Sequence, residues 1–155
     1  MNVKTFFHTF IRAESVAAIL YRSHLTSISI THQPLLCHIA RIEEKHRDDW
    51  RALYQQIFHE PAPRFLPSQY AARLLGWILN IFGERAILRA ECLIERHAIN
   101  IYTRSLHQIH DPRVRSVLTR VLKDEASHQA LDTLLREDKQ DEEEHLEKMQ
   151  EVLVN

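Results

Sequence analysis

The sequence predicts an all-α fold, a four-helix bundle of two helical hairpins joined by a long crossover, with a short C-terminal helix. Three observations carry this. The 155 residues hold only two glycines and five prolines. Polar–apolar alternation of the strand type is hard to find, and apolar residues recur at spacings of three and four. A chain of this length can bury most of its surface in one core, so a single domain over 1–155 is expected.

The prolines supply the punctuation. A first helix is expected over 3–25, and Pro34 suits the opening turn of a second over 34–59. Pro61, Pro63 and Pro67 then break the chain after His59, and Asp111-Pro112 makes a turn between a third helix over 84–110 and a fourth over 113–137. Residues 60–83 form the crossover. Its stretch from Gln69 to Phe82 is apolar and helix-compatible, and at ~1.5 Å per residue it could run along the bundle. Beyond Arg136 the run from Glu137 to Glu144 is charged, and a stripe through Leu146, Met149 and Leu153 resumes, so a charged C-terminal helix is expected over 138–155.

Composition narrows the function. Formal net charge is −1 and the basic residues are spread along the chain, which argues against a nucleic-acid partner. Cys37 and Cys92 sit singly in apolar helical sequence without C-x-x-C spacing, as packing residues of a reducing compartment. The start, Met1-Asn2-Val3-Lys4, leads into an amphipathic stretch interrupted by His8, Arg12 and Glu14, unlike a signal peptide. The expected location is cytoplasmic, with a peripheral position at the inner face of a membrane as the variant of it.

The chemistry lies in a twice-repeated pattern: Glu14 then Glu43-x-x-His46, and Glu95 then Glu125-x-x-His128. Glu-x-x-His puts both side chains on one helical face. With 14 Glu and 11 His in the chain, about one such spacing is expected by chance. Three occur, so spacing alone cannot decide. Position on the helix can. Glu43 and His46 interrupt the stripe Leu36, Ile39, Trp50, Leu53, Ile57, and Glu125 and His128 interrupt Val114, Leu118, Val121, Leu131, Leu135. The third match, Glu142-x-x-His145, lies in a run of charge and is expected on a solvated face.

Glu14 falls among Phe7, Phe10, Ala17 and Tyr21, and Glu95 among Leu88, Cys92, Ala98 and Tyr102. A lone buried carboxylate is costly, so four converging ones imply cations between them. Buried pairing with Arg12, Arg41, Arg89 or Arg96 is the structural alternative. Two divalent ions would be neutralised by Glu14, Glu43, Glu95 and Glu125, with His46 and His128 completing the shell.

Glu91 shares a face with Glu95 and competes for the third-helix position. Glu, Ala and Tyr coincide in the two halves at offsets of zero, three and seven from Glu14 and from Glu95. Measured from the turn at Asp111-Pro112, Glu95 and Glu125 differ by only ~3 Å in height, whereas Glu91 would be off by ~9 Å. Glu95 is the expected ligand and Glu91 the reserve.

At these residues the chain resembles the ferritin-like superfamily, and within it the demethoxyubiquinone hydroxylases of ubiquinone biosynthesis. The resemblance rests on Ala13-Glu14 with Tyr21, Glu43-x-x-His46, Gly83 leading into Glu95 with Tyr102, and Asp124-Glu125-x-x-His128, and covers about residues 10–135. It departs at Ile11-Arg12-Ala13, where the family has a glycine-containing stretch, and in the missing glycines just after Glu14.

The resemblance implies two iron ions, with manganese as the alternative, O2 as co-substrate and a quinone-like or other small apolar substrate. It also implies work at a membrane surface through apolar segments, for which 65–82 is the candidate. Packing of that segment on the bundle, or a homo-oligomer contact, is the other reading. The expected function is therefore an O2-activating di-iron oxidoreductase, a monooxygenase. Glu43 and Glu125 would bridge the metals, Glu14 and Glu95 would be terminal ligands, and His46 and His128 would bind one ion each. Tyr21 and Tyr102 would line the site, and Asp124, Asp49 or Asp132 could orient a ligand histidine. The competing functions are ferritin- or rubrerythrin-like iron oxidation or peroxide reduction, and a metal-free helical interaction protein.

Overall fold

A computed structural model describes residues 3–128. They form α1 (Val3–His24), α2 (Gln33–Phe58), α3 (Leu66–Ile81), α4 (Glu84–Gln108) and α5 (Pro112–Ser127). Residues 129–137 of the expected fourth long helix, the expected helix over 138–155, and the Glu142-x-x-His145 spacing lie outside the described residues.

Local chemistry sets the helix ends. Pro34 occupies the first turn of α2, and His59 closes that helix in the left-handed region at φ 55°, its N–H reaching the Gln55 carbonyl at 2.9 Å. α3 begins at Leu66, three residues before the expected apolar stretch, because Pro67 is pre-set for a first turn. Gly83 turns the chain directly into α4 at φ 82°, a conformation that favours glycine. Asp111 caps α5, accepting from Arg113 N at 2.8 Å and Val114 N at 3.4 Å. Its partnership with Arg113 lowers its pKa to about 2.

α1 packs most extensively on α2 and next on α3, while α4 pairs with α5. This is the expected pair of hairpins joined by a helical crossover. Glu84, the first residue of α4, ties the crossover's end to the α1–α2 loop by accepting from Ser29 N at 3.0 Å and Ser29 Oγ at 2.9 Å.

The core divides along the bundle axis. One apolar cluster holds Phe6, Phe7, Phe10, Trp50, Leu53, Tyr102 and Leu118 among others. The second is built on Tyr21, Leu36, Ile39, Ile87, Leu88 and Cys92. On α1, α2 and α4 the residues between these two sets are Glu14, Glu43 with His46, and Glu95.

α3 meets α1 where side chains are smallest. A Cβ on Gly76 would stand 2.0 Å from Ser23 Oγ and 2.9 Å from Ser23 Cβ, so the two helices touch there almost backbone to backbone. Gly76→Ala gains ~1 kcal/mol of helix propensity but overpacks this contact at a cost of ~1–3 kcal/mol. The expected outcome is a lower urea midpoint, restored when Ser23→Gly is added; an unchanged midpoint in the single variant contradicts the close contact.

Candidate metal centre

Each helix brings its polar residues to the central layer by continuing an apolar stripe. Glu14 on α1, Glu43 and His46 on α2, Glu95 on α4, and Glu125 with His128 at the end of α5 are all buried, none more than 6 % exposed. They fall into two groups, Glu14, Glu43, His46, Glu125 and Glu43, Glu95, Glu125, His128. Within each group one ligand atom per residue lies within 4.8 Å of the others, close enough to hold a metal ion. Glu43 and Glu125 belong to both groups, the arrangement needed to bridge two ions. Glu91 belongs to neither.

Tyrosines tie the two halves together crosswise. Tyr21 on α1 donates to Glu95 on α4, and Tyr102 on α4 donates to Glu14 on α1. The repeat of Glu and Tyr within each helix therefore yields pairs between helices. Burial first, then the adjacent carboxylates, pushes both phenols well above their ordinary pKa, so both stay protonated donors.

The histidines differ in their surroundings. His46 Nε2 lies 3.1 Å from Asp124 Oδ2, while its Nδ1, 3.7 Å from Glu125 Oε1, has no hydrogen-bond partner. Asp124 thus fixes the ring and leaves Nδ1 to the cluster. Asp49 pairs with Lys45 and Arg120, each at 2.9 Å, and Asp132 lies outside the described residues. His128 Nδ1 stands 2.9 Å from Glu95 Oε2 and 3.2 Å from Glu125 Oε2. Its Nε2, with Glu43 Oε1 and Glu125 Oε2, is also buried without a hydrogen-bond partner.

Three ligand atoms of the layer, His46 Nδ1, Glu43 Oε1 and Glu125 Oε2, lack a hydrogen-bond partner, as a cation site requires and a closed hydrogen-bond network does not. Arg12, Arg41, Arg89 and Arg96 all lie exposed, away from the role of buried counter-charge. Oxygen and imidazole donors of this kind suit first-row divalent metals.

Without cations, protons hold the layer together. Burial, then the Glu14 and Glu125 carboxylates, raises Glu43 well above its ordinary value. Burial pushes Glu125 up to about 9 against the opposing pull of His128. Burial works against a charged His128, but Glu125 and Glu95 outweigh it and raise its pKa to about 10. Glu95 goes the other way: burial would raise it, and its hydrogen bonds from His128 and Tyr21 leave it lowered.

His24, and its pairing with the reserve candidate Glu91, escaped the sequence reading. His24 and Glu91 are fully buried 3.1 Å apart, and His24 Nδ1 lies 2.8 Å from Asn80 Oδ1 on α3. The signal was present, because His24 continues the α1 stripe three residues after Tyr21. This pairing occupies Glu91 and explains why Glu95 alone of the two joins the cluster.

A cavity of about 30 Å³ opens between α1 and α4, lined by Thr9, Phe10, Ala13, Ala98, Ile101 and Tyr102. It adjoins the central layer through Tyr102. A larger cleft of about 510 Å³ lies at the far end of the bundle, where Val3, Phe58 and the α4–α5 turn meet, behind the Phe6–Phe10–Trp50 aromatic packing.

Compared with known families, the sequence matches the one described as ubiquinone biosynthesis protein COQ7 over residues 12–151. The chain belongs to this family. No curated protein matches the chain, and no solved structure does. The matched span contains all six residues of the central layer, and the fold is the all-helical, ferritin-like bundle of the COQ7 family. Membership supports an oxidoreductase of ubiquinone biosynthesis, and the buried Glu/His layer is a group that could bind metal.

The protonation pattern has a signed consequence. Glu43, Glu125 and His128 hold protons that the unfolded chain releases near 4.5 and 6.5, so their stabilisation is full below those values and is lost as pH rises, for Glu125 toward about 9 and for His128 toward about 10. The Glu95 contribution, of opposite sign, changes only below 4.5. Metal-free protein is expected to unfold at a lower urea concentration at about pH 9 than at about pH 6. Added divalent metal, which displaces these protons, should stabilise more at the higher pH. A midpoint that rises with pH in the metal-free protein contradicts this electrostatic picture.

Proposed function

We propose that this chain is an iron-dependent hydroxylase that inserts one oxygen atom of O2 into the ring of a quinone-like substrate in ubiquinone biosynthesis. The observation that carries the reading is the sharing of Glu43 and Glu125 between two four-residue donor groups. Glu14 with His46 would complete one metal site, and Glu95 with His128 the other. Two iron ions so held would supply O2 activation; manganese meets the same donor set less specifically.

The residues around the cluster have separable tasks. Tyr21 and Tyr102 hold Glu95 and Glu14 in place and keep a phenolic proton beside each. Asp124 orients His46. The stacked rings of Phe10, Tyr102 and Trp50, with Phe10 centroids 4.6 Å from Tyr102 and 5.3 Å from Trp50, close the layer to water on one side. Exclusion of water protects a reactive site from side reactions. Hydroxylation consumes two electrons and two protons beyond O2, so a separate two-electron reductant is needed.

Among the described residues, the cavity beside Tyr102 is lined by Thr9, Phe10, Ala13, Ala98 and Ile101, without a carboxylate, and at about 30 Å³ it has room for about one water.

An apolar quinone partitions into lipid, and α3 is built to meet it there. Leu66, Tyr70, Leu74, Trp77, Ile81 and Phe82 are each at least half exposed, an apolar face left largely uncovered among the described residues. No helix among the described residues is long and apolar enough to cross a membrane. In this reading α3 lies in the interface, its apolar side sunk into the acyl boundary.

Metal analysis tests the centre. Protein produced with iron should carry about two ions per chain, and Glu43→Ala or Glu125→Ala should lose both, since each serves both sites. Retention of both ions in either variant overturns the assignment. For the reaction, the reduced holoprotein given a demethoxyquinone and isotopically labelled O2 should return a hydroxylated quinone bearing the label, while oxidation of added Fe(II) into a mineral without quinone product favours iron storage.

A further inference from the structure

A second cleft lies beside α3, away from the metal layer. It measures about 330 Å³ and is lined by Ala18, Ile19, Arg22, Ser23, Glu44, Arg47 and Arg73. Three helices each contribute one arginine: Arg22 from α1, Arg47 from α2 and Arg73 from α3. The volume is at the small end of the ~300–1,000 Å³ range of ligand sites. Against three guanidinium groups the lining holds one carboxylate, Glu44, and Asp48 pairs with Arg47 beside it, so one of the three positive charges is unbalanced.

The existing contacts leave donors to spare. Arg22 Nε and Nη2 grip Glu44 side-on at 2.7 and 2.9 Å, which fixes the guanidinium plane and leaves its Nη1. Arg47 uses Nε on Asp48 at 2.9 Å, leaving both Nη groups. Arg73 lies over the Tyr70 ring, 5.9 Å from its centroid. Guanidinium groups present N–H pairs that match phosphate oxygens.

The position on α3 selects the kind of phosphate. Ala72 and Gly76 face α1 and are buried, whereas Tyr70, Leu74, Trp77 and Ile81 are exposed. Helical spacing sets Arg73 on the border between these two faces, with Trp77 one turn on. An arginine at the edge of an apolar helix face, flanked by tyrosine and tryptophan, sits at the level where lipid headgroups meet acyl chains.

We propose that this cleft binds the phosphodiester headgroup of an anionic membrane lipid, with Arg22, Arg47 and Arg73 donating to its phosphate oxygens. The inference rests on the reading of α3 as an interfacial helix and adds a headgroup site to it. Glu44 is the opposing charge in the cleft: it orders Arg22 and limits the affinity for an anion.

The test is vesicle flotation of the full chain, with vesicles of phosphatidylcholine alone and vesicles also containing phosphatidylglycerol. Wild type should favour the anionic vesicles. Arg47→Gln and Arg73→Gln should each weaken that binding about fivefold, the share of one basic residue near an anionic surface. Glu44→Gln should strengthen it. Arg104→Gln, an exposed arginine on α4, should change it little. Trp77→Ser should weaken binding to both vesicle types, and unchanged circular dichroism shows that the variants fold.

If Trp77→Ser weakens binding while Arg47→Gln and Arg73→Gln do not, the headgroup site is wrong and the interfacial helix stands. If Arg104→Gln loses as much as the cleft variants, diffuse charge explains the preference and the site is overturned. Failure of wild type to bind either vesicle overturns both readings. Binding of glycerol 3-phosphate that depends on Arg47 and Arg73, with no vesicle binding, assigns the cleft to a soluble phosphate and overturns the lipid assignment.

Discussion

Everything else in this bundle accommodates one constraint: four carboxylates and two imidazoles are buried in a single layer between two apolar clusters. Unneutralised charge at that density would be prohibitive, and the exposed arginines of the same helices do not supply the compensation. Either protons or cations must. The raised pKa values of Glu43, Glu125 and His128 describe the protonated solution, and the two overlapping donor groups describe the cationic one. A single layer can thus be stable in either form, with pH and metal as alternative sources of positive charge.

The layer also explains the architecture around it. The phenols of Tyr21 and Tyr102 are exchanged between the hairpins, each satisfying a carboxylate of the opposite one. Such pairs form only if α1 and α4 lie side by side at matched height, so they bind register to chemistry. α1 and α4 otherwise touch lightly compared with α1 and α2. Alanines 13 and 98 and the small cavity beside Tyr102 occupy that looser seam. The crossover places α3 against α1, at the Gly76–Ser23 contact, and turns its remaining face outward. The same helix thereby secures the first hairpin and exposes apolar surface, and the arginine cleft lies along its border.

Most of the long elements were legible in the sequence because their apolar stripes are strong and proline or Asp-Pro marks the breaks. The ligand candidates were legible for the same reason inverted: Glu43, His46 and Glu125 stand out as polar residues in stripes that must be buried. The choice of Glu95 over Glu91 followed from heights above one turn, and the structure gives each a separate environment, Glu95 with His128 and Tyr21, Glu91 with His24. Among the acidic residues considered for orienting a histidine, Asp124 and Asp49 were indistinguishable by spacing. Only packing sends Asp124 to His46 and Asp49 to Lys45 and Arg120.

By itself the sequence determined what is periodic and local: the four long helices, the proline and Asp-Pro breaks between them, the buried faces, and which polar residues interrupt them. Those follow from side-chain spacing and backbone preferences that act within a few turns of one helix. Tertiary structure alone decided what depends on distance between helices: the crosswise tyrosines, the His24–Glu91–Asn80 cluster and the meeting of Arg22, Arg47 and Arg73. Each joins residues from different helices, whose relative height and rotation are set by how ridges and small residues pack, information that no single stripe contains.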